Sequence, residues 1–63
     1  MDREIVIRTK LEQLENDYCS LITAQDYLAV KGEWNAYYII RSIMDGIDRE
    51  IDKLTTQLKK GVA

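Results

Sequence analysis

The stretch Leu28-Ala29-Val30-Lys31-Gly32-Glu33-Trp34-Asn35-Ala36-Tyr37 joins two long runs of helical periodicity, and its centre has the chemistry of a tight connection. Gly32 accepts the left-handed backbone that commonly follows a helix C-terminus. Lys31 sits where the dipole of a preceding helix favours a cation, and Glu33 where the dipole of a following helix favours an anion. A link this short makes the two helices antiparallel neighbours.

Working outward, the first run is Ile7, Leu11, Leu14, Tyr18, Leu21, Gln25 and Leu28, and the second is Tyr37, Ile40, Met44, Ile47, Ile51, Leu54 and Leu58. Spacings alternate between three and four, which holds each run on one seam of a helix, the a and d positions of a coiled coil. The chain has no Pro, in keeping with uninterrupted helices, because an interior Pro costs ~3 kcal/mol. The pattern predicts helix 1 over about 3–30, a turn over about 31–34 and helix 2 over about 35–60.

Positions equidistant from the Gly32–Glu33 link should face one another. Leu28 then meets Tyr37, Gln25 meets Ile40, Leu21 meets Met44 and Tyr18 meets Ile47; Leu14 meets Ile51, Leu11 meets Leu54 and Ile7 meets Leu58. Every seam residue finds a seam residue, and each a position faces a d position, as antiparallel packing requires. The expected fold is all-α: one domain over residues 1–63, an antiparallel, coiled-coil-like two-helix hairpin. Gln25 is the polar member of its seam, either fixing register at some cost in stability or reaching solvent near the turn.

The chain has 63 residues, nine of them basic and eleven acidic, for a net charge of −2, with no His and one Cys. Without His there is no Cys/His zinc site, no nucleophilic triad and no imidazole acid/base chemistry. A lone Cys gives no internal disulfide framework. Neither a Gly-rich phosphate loop nor a nucleophile elbow is present, and a two-helix chain offers no shielded cleft for carboxylates such as Asp48 and Asp52. The expectation is a protein that is not an enzyme and carries no cofactor or metal. The longest apolar run, Ala36 to Ile40, is far short of the ~20 residues that span a bilayer. Met1-Asp2-Arg3-Glu4 is charged where a secretory signal is apolar, so the cytoplasm is the expected compartment, including a cell hosting a phage or plasmid.

Two helices bury one stripe each, and a chain of this size commonly completes its core by association. Ala36, Ile39, Ile43 and Gly46 form a second stripe on helix 2, matched on helix 1 by Ser20, Ala24 and Tyr27. Gly46 inside a helix costs roughly 1 kcal/mol relative to Ala, a cost that close approach of another backbone would justify. These residues are the candidate self-association surface of a homodimeric four-helix bundle, with Ile22, Trp34 and Tyr38 widening the apolar region. In length and topology, though in no motif, the architecture resembles the Rop-type plasmid regulators. That resemblance implies an RNA-binding alternative in which Lys31, Arg41 and Arg49 contact phosphates.

Acidic residues gather at mid-hairpin: Glu12, Glu15, Asp17, Asp45, Asp48, Glu50 and Asp52. Some are expected to be paired locally, in the sets Glu4–Arg8–Glu12 and Arg41–Asp45–Arg49 and across the hairpin between Glu12 and Lys53. Glu15 beside Asp48 and Asp17 beside Glu50 place like charges at the seam flanks, a self-repelling belt that a basic protein surface would favour. Trp34, Tyr37, Tyr38 and Tyr27 crowd the turn end, with Tyr27 expected to face Tyr38, as interface anchors or as a stacking site for nucleotides. Cys19 is expected to be small, partly buried and unreactive. The candidate partner-binding residues are therefore Glu15, Asp17, Asp48, Glu50, Asp52, Trp34 and Tyr38. The expected function is a small regulatory or inhibitory protein-protein interaction module, acting as a homodimer on a partner with a basic or apolar surface. Nucleic-acid binding, sequestration of small nucleotides and a structural role in a larger assembly are the alternatives; a membrane is not an expected partner.

Overall fold

Asp2 opens the first helix with its side chain: the carboxylate accepts the Glu4 N–H at 3.0 Å, and its carbonyl accepts the Val6 N–H at 3.2 Å. An N-cap of this kind satisfies donors that have no partner inside the helix. From there α1 runs over Arg3–Lys31 and α2 over Trp34–Val62, 29 residues each. The computed structural model describes residues 2–62; Met1 and Ala63 lie outside the described residues.

Gly32 adopts φ 71° and ψ 21°. Its N–H donates to the Ala29 carbonyl at 3.1 Å, and the Glu33 N–H donates to the Leu28 carbonyl at 2.9 Å. Those two bonds form the Schellman arrangement, which satisfies carbonyls left open at a helix end. The Glu33 carbonyl in turn accepts the Tyr37 N–H at 3.0 Å, the first bond of α2. The connection is thus two residues long, shorter than the expected 31–34 turn. Lys31 stays helical because the left-handed step occurs at Gly32, and Trp34 is already helical because Glu33 occupies the capping position.

The two helices pack side by side in a rod of 47 × 15 × 13 Å. All fourteen seam residues are buried or half-buried, with Ile7, Gln25, Met44 and Leu54 the most enclosed. Ile7 and Leu58, an expected facing pair, line one groove at the free end of the hairpin. The all-α hairpin read from the heptads is the fold of the chain.

This core is thin. Only three apolar side chains among the described residues are buried, and none is wholly enclosed, so few collect the ~1.5–3 kcal/mol of a fully buried side chain. The chain exposes 4987 Å², whereas a folded monomer of its mass is expected to expose about 4,200 Å². Among the described residues no helix is long and apolar enough to cross a membrane.

Candidate interaction surfaces

Residues two apart on a helix lie ~200° apart around its axis. Glu15 and Asp17 therefore fall on opposite sides of the Leu14–Tyr18 seam, and Asp48 and Glu50 on opposite sides of the Ile47–Ile51 seam. The structure places Lys10, Gln13, Asp17 and Glu50 around one groove floored by Leu14 and Leu54. The acidic belt is consequently two separate pairs: Asp17 with Glu50 on this flank, and Glu15 with Asp48 on the other. Asp17 and Glu50 also have a cation for company in Lys10.

Steps of seven residues return to the same side of a coiled-coil helix, with a drift of ~20°. From Gln13 and Asp17 they lead to Ser20, Ala24 and Tyr27; from Glu50 they lead to Ile43 and Ala36, with Gly46 and Ile39 alongside. Every candidate self-association residue lies on this one flank. Ala24 and Ala36 are half-buried, whereas Tyr27 is 61% exposed, Ile39 63% and Ile43 48%. A Cβ built on Gly46 meets nothing within 4 Å, so the hairpin itself does not explain a glycine there. Between Gly46 and the turn this apolar flank bears a single charge, Lys31, whose ammonium lies 5.7 Å from the centre of the Tyr27 ring.

The opposite flank is acidic. Glu12, Glu15, Asp26, Asp45, Asp48 and Asp52 share it with Arg8, Arg41 and Lys59, all exposed. Arg41 is engaged by Asp45 at 3.6 Å, and Arg8 turns to Glu4 at 3.0 Å. These are the two ion pairs among the described residues. The expected Glu12–Lys53 pair does not form: the two are level along the hairpin but lie on opposite flanks. Arg8 and Asp45 likewise take one partner each, leaving Glu12 and Arg49 outside the expected triplets.

Trp34 and Tyr38 stand at the turn end of the acidic flank. Tyr37, on the seam between them, meets each edge-on with ring centres 5.3 Å apart. Tyr27 does not face Tyr38, contrary to the sequence expectation, since equal height along a hairpin does not place two residues on the same side. Lys31, Arg41 and Arg49 point to three different sides of the hairpin and form no common basic patch. The two grooves described, at the free end and at mid-hairpin, contain no aromatic residue.

One further expectation is corrected, and one of the two alternatives for Gln25 is ruled out. Cys19 is exposed, not partly buried, because its outward position receives no cover from a single neighbouring helix. Gln25 does not reach solvent: it is 7% exposed, and its Nε2 is buried with no hydrogen-bond partner. The seam geometry that buries its hydrophobic neighbours buries the amide as well. Among the described residues no three potential metal ligands converge.

Residues named as partner-binding from the sequence are thus brought together in part: Glu15, Asp48, Asp52, Trp34 and Tyr38 share the acidic flank, while Asp17 and Glu50 do not. The signal that separates them, heptad position relative to the seam, is present in the sequence once the register is known. The chain matches no protein-family model, no curated protein and no solved structure.

Proposed function

We propose that the protein is a non-enzymatic regulatory interaction module with two working sides. Its apolar flank joins a second copy in a four-helix bundle, and its acidic flank docks a basic surface of another protein. The observation that carries this reading is the division of labour between the flanks: one nearly uncharged toward the turn, the other rich in unpaired carboxylates with Trp34 and Tyr38 at its end. Solvent-exposed carboxylates without nearby cations repel one another, and covering them with Lys or Arg side chains relieves that repulsion. Trp and Tyr supply the anchoring area that such contacts use.

The test is charge reversal restricted to the acidic flank. Glu15→Lys, Asp48→Lys and Asp52→Lys together should abolish capture of the cellular partner by crosslinking, while helical content by circular dichroism and the solution mass stay unchanged. Reversal of Asp17 and Glu50, on the other flank, should leave that partner bound. Undiminished partner capture by the Glu15, Asp48 and Asp52 variant refutes the docking surface.

A further inference from the structure

The apolar flank is apolar only in its turn half. Of the eight large hydrophobic residues that stand exposed among the described residues, seven lie from Ile22 to Ile43, and three of these, Tyr27, Ile39 and Ile43, lie on this flank. On the flank itself Ala24, Tyr27, Ala36, Ile39, Ile43 and Gly46 occupy the turn half, while Lys10, Asp17, Glu50 and Lys53 occupy the free half. A cover for this flank must be apolar over about half its length and stop before those charges.

We propose that the cover is a second copy of this chain, pointing the opposite way and staggered so that only the two turn halves overlap. This rests on the self-association half of the reading above and adds the alignment. Place a two-fold axis across the hairpin at the level of Ala24. Ala24 then meets Ala24 of the other copy, Ile39 meets Ile43, and Ala36 meets Gly46. Lys31, the one charge on the turn half, comes level with Asp17 of the other copy. The two isoleucines meet each other, Tyr27 comes level with the small Ser20, the glycine receives a close neighbour, and the lone cation meets a carboxylate. The same operation lays α1 against α1 and α2 against α2, so all neighbouring helices are antiparallel.

The two full-length alignments fare worse. With turns at the same end, Asp17 of each copy comes level with Glu50 of the other, adding like-charge contacts to those already present within each hairpin. With turns at opposite ends and complete overlap, Asp17 meets its own copy near the two-fold, while Ala24 and Ile43 lie against Lys10 and Lys53. Area is consistent with a second copy. The chain exposes 4987 Å², roughly 800 Å² more than a monomer of its mass is expected to show, and a standard interface buries about 800 Å² per partner.

Spin labels on Thr9→Cys, in a Cys19→Ser background, read the alignment directly, with the assembly state fixed by sedimentation equilibrium. The staggered dimer holds the two labels about 45 Å or more apart, thirty residues at ~1.5 Å each. Either full-length alignment brings them to roughly 35 Å or less. A dimer with the short distance overturns the stagger and leaves self-association standing; a monomer overturns both. Asp17→Lys should weaken association roughly tenfold through two symmetry-related pairs, and adding Lys31→Glu should restore it. Ile43→Glu should dissociate the dimer, whereas Ile22→Glu, on the acidic flank and similarly exposed, should not. Unchanged mass in Ile43→Glu, with helicity retained, overturns the proposal.

Discussion

At the scale of single residues, Gln25 and Gly32 show opposite relations between a side chain and its place. Gly32 suits its position: φ 71° is a region where any L side chain is strained, and the turn closes through its N–H. Gln25 does not suit its position in the isolated hairpin. A buried donor without a partner costs ~1–3 kcal/mol, and Leu has nearly the same volume without the amide. Gln25→Leu is expected to raise stability by about 1–2 kcal/mol in urea denaturation at fixed protein concentration. A loss of stability instead would mean that Nε2 finds a partner in the assembly. The substitution should also loosen register, because it removes the polar member of the α1 seam, and mixed oligomers in sedimentation velocity would report that.

At the scale of elements, each helix carries four exposed large hydrophobics away from its seam among the described residues: Ile5, Ile22, Tyr27 and Val30 on α1, and Trp34, Tyr38, Ile39 and Ile43 on α2. Val30, 86% exposed, stands away from both flanks. Such singly exposed hydrophobics need no explanation by themselves; the clustered ones on the apolar flank do. Gly46 separates these cases experimentally. In the hairpin alone a Cβ at this position enters open space, so Gly46→Ala should stabilise α2 by roughly 1 kcal/mol. In the staggered dimer the same methyl group enters the contact with Ala36 of the other copy. The expected outcome is a higher melting temperature at low concentration, where monomers dominate, together with a weaker association constant. A gain in both would place no backbone near Gly46.

At the scale of the whole molecule, a rod 47 Å long and 13–15 Å across has too much surface for its contents. Association relieves that excess by mass action, so stability becomes dependent on concentration. For a dimer of this size, the melting temperature should rise roughly 5 °C for each tenfold increase in protein concentration. A melting temperature independent of concentration, read by circular dichroism over a thousandfold range, would return the molecule to a marginal monomer with an open apolar flank. The acidic flank belongs to this scale too. Its carboxylates come from both helices and form one surface only because the hairpin brings Glu15 and Asp48 to the same side.

Taken alone, the sequence determined the hairpin. The alternation of three and four, the Lys31-Gly32-Glu33 link and the equidistant pairing fix which residues form the seam, since a helix repeats every ~3.6 residues whatever surrounds it. Heptad position, which the sequence also carries once the register is known, settles three pairs by side of the seam where height along it misleads. Tyr27 and Tyr38 stand level yet do not meet, Glu12 and Lys53 stand level yet do not pair, and Asp17 with Glu50 parts from Glu15 with Asp48. Only the tertiary structure decided that the Gln25 amide lies buried with its Nε2 unpaired and that Cys19 stays uncovered, because cover comes from the neighbouring helix and not from a residue's own.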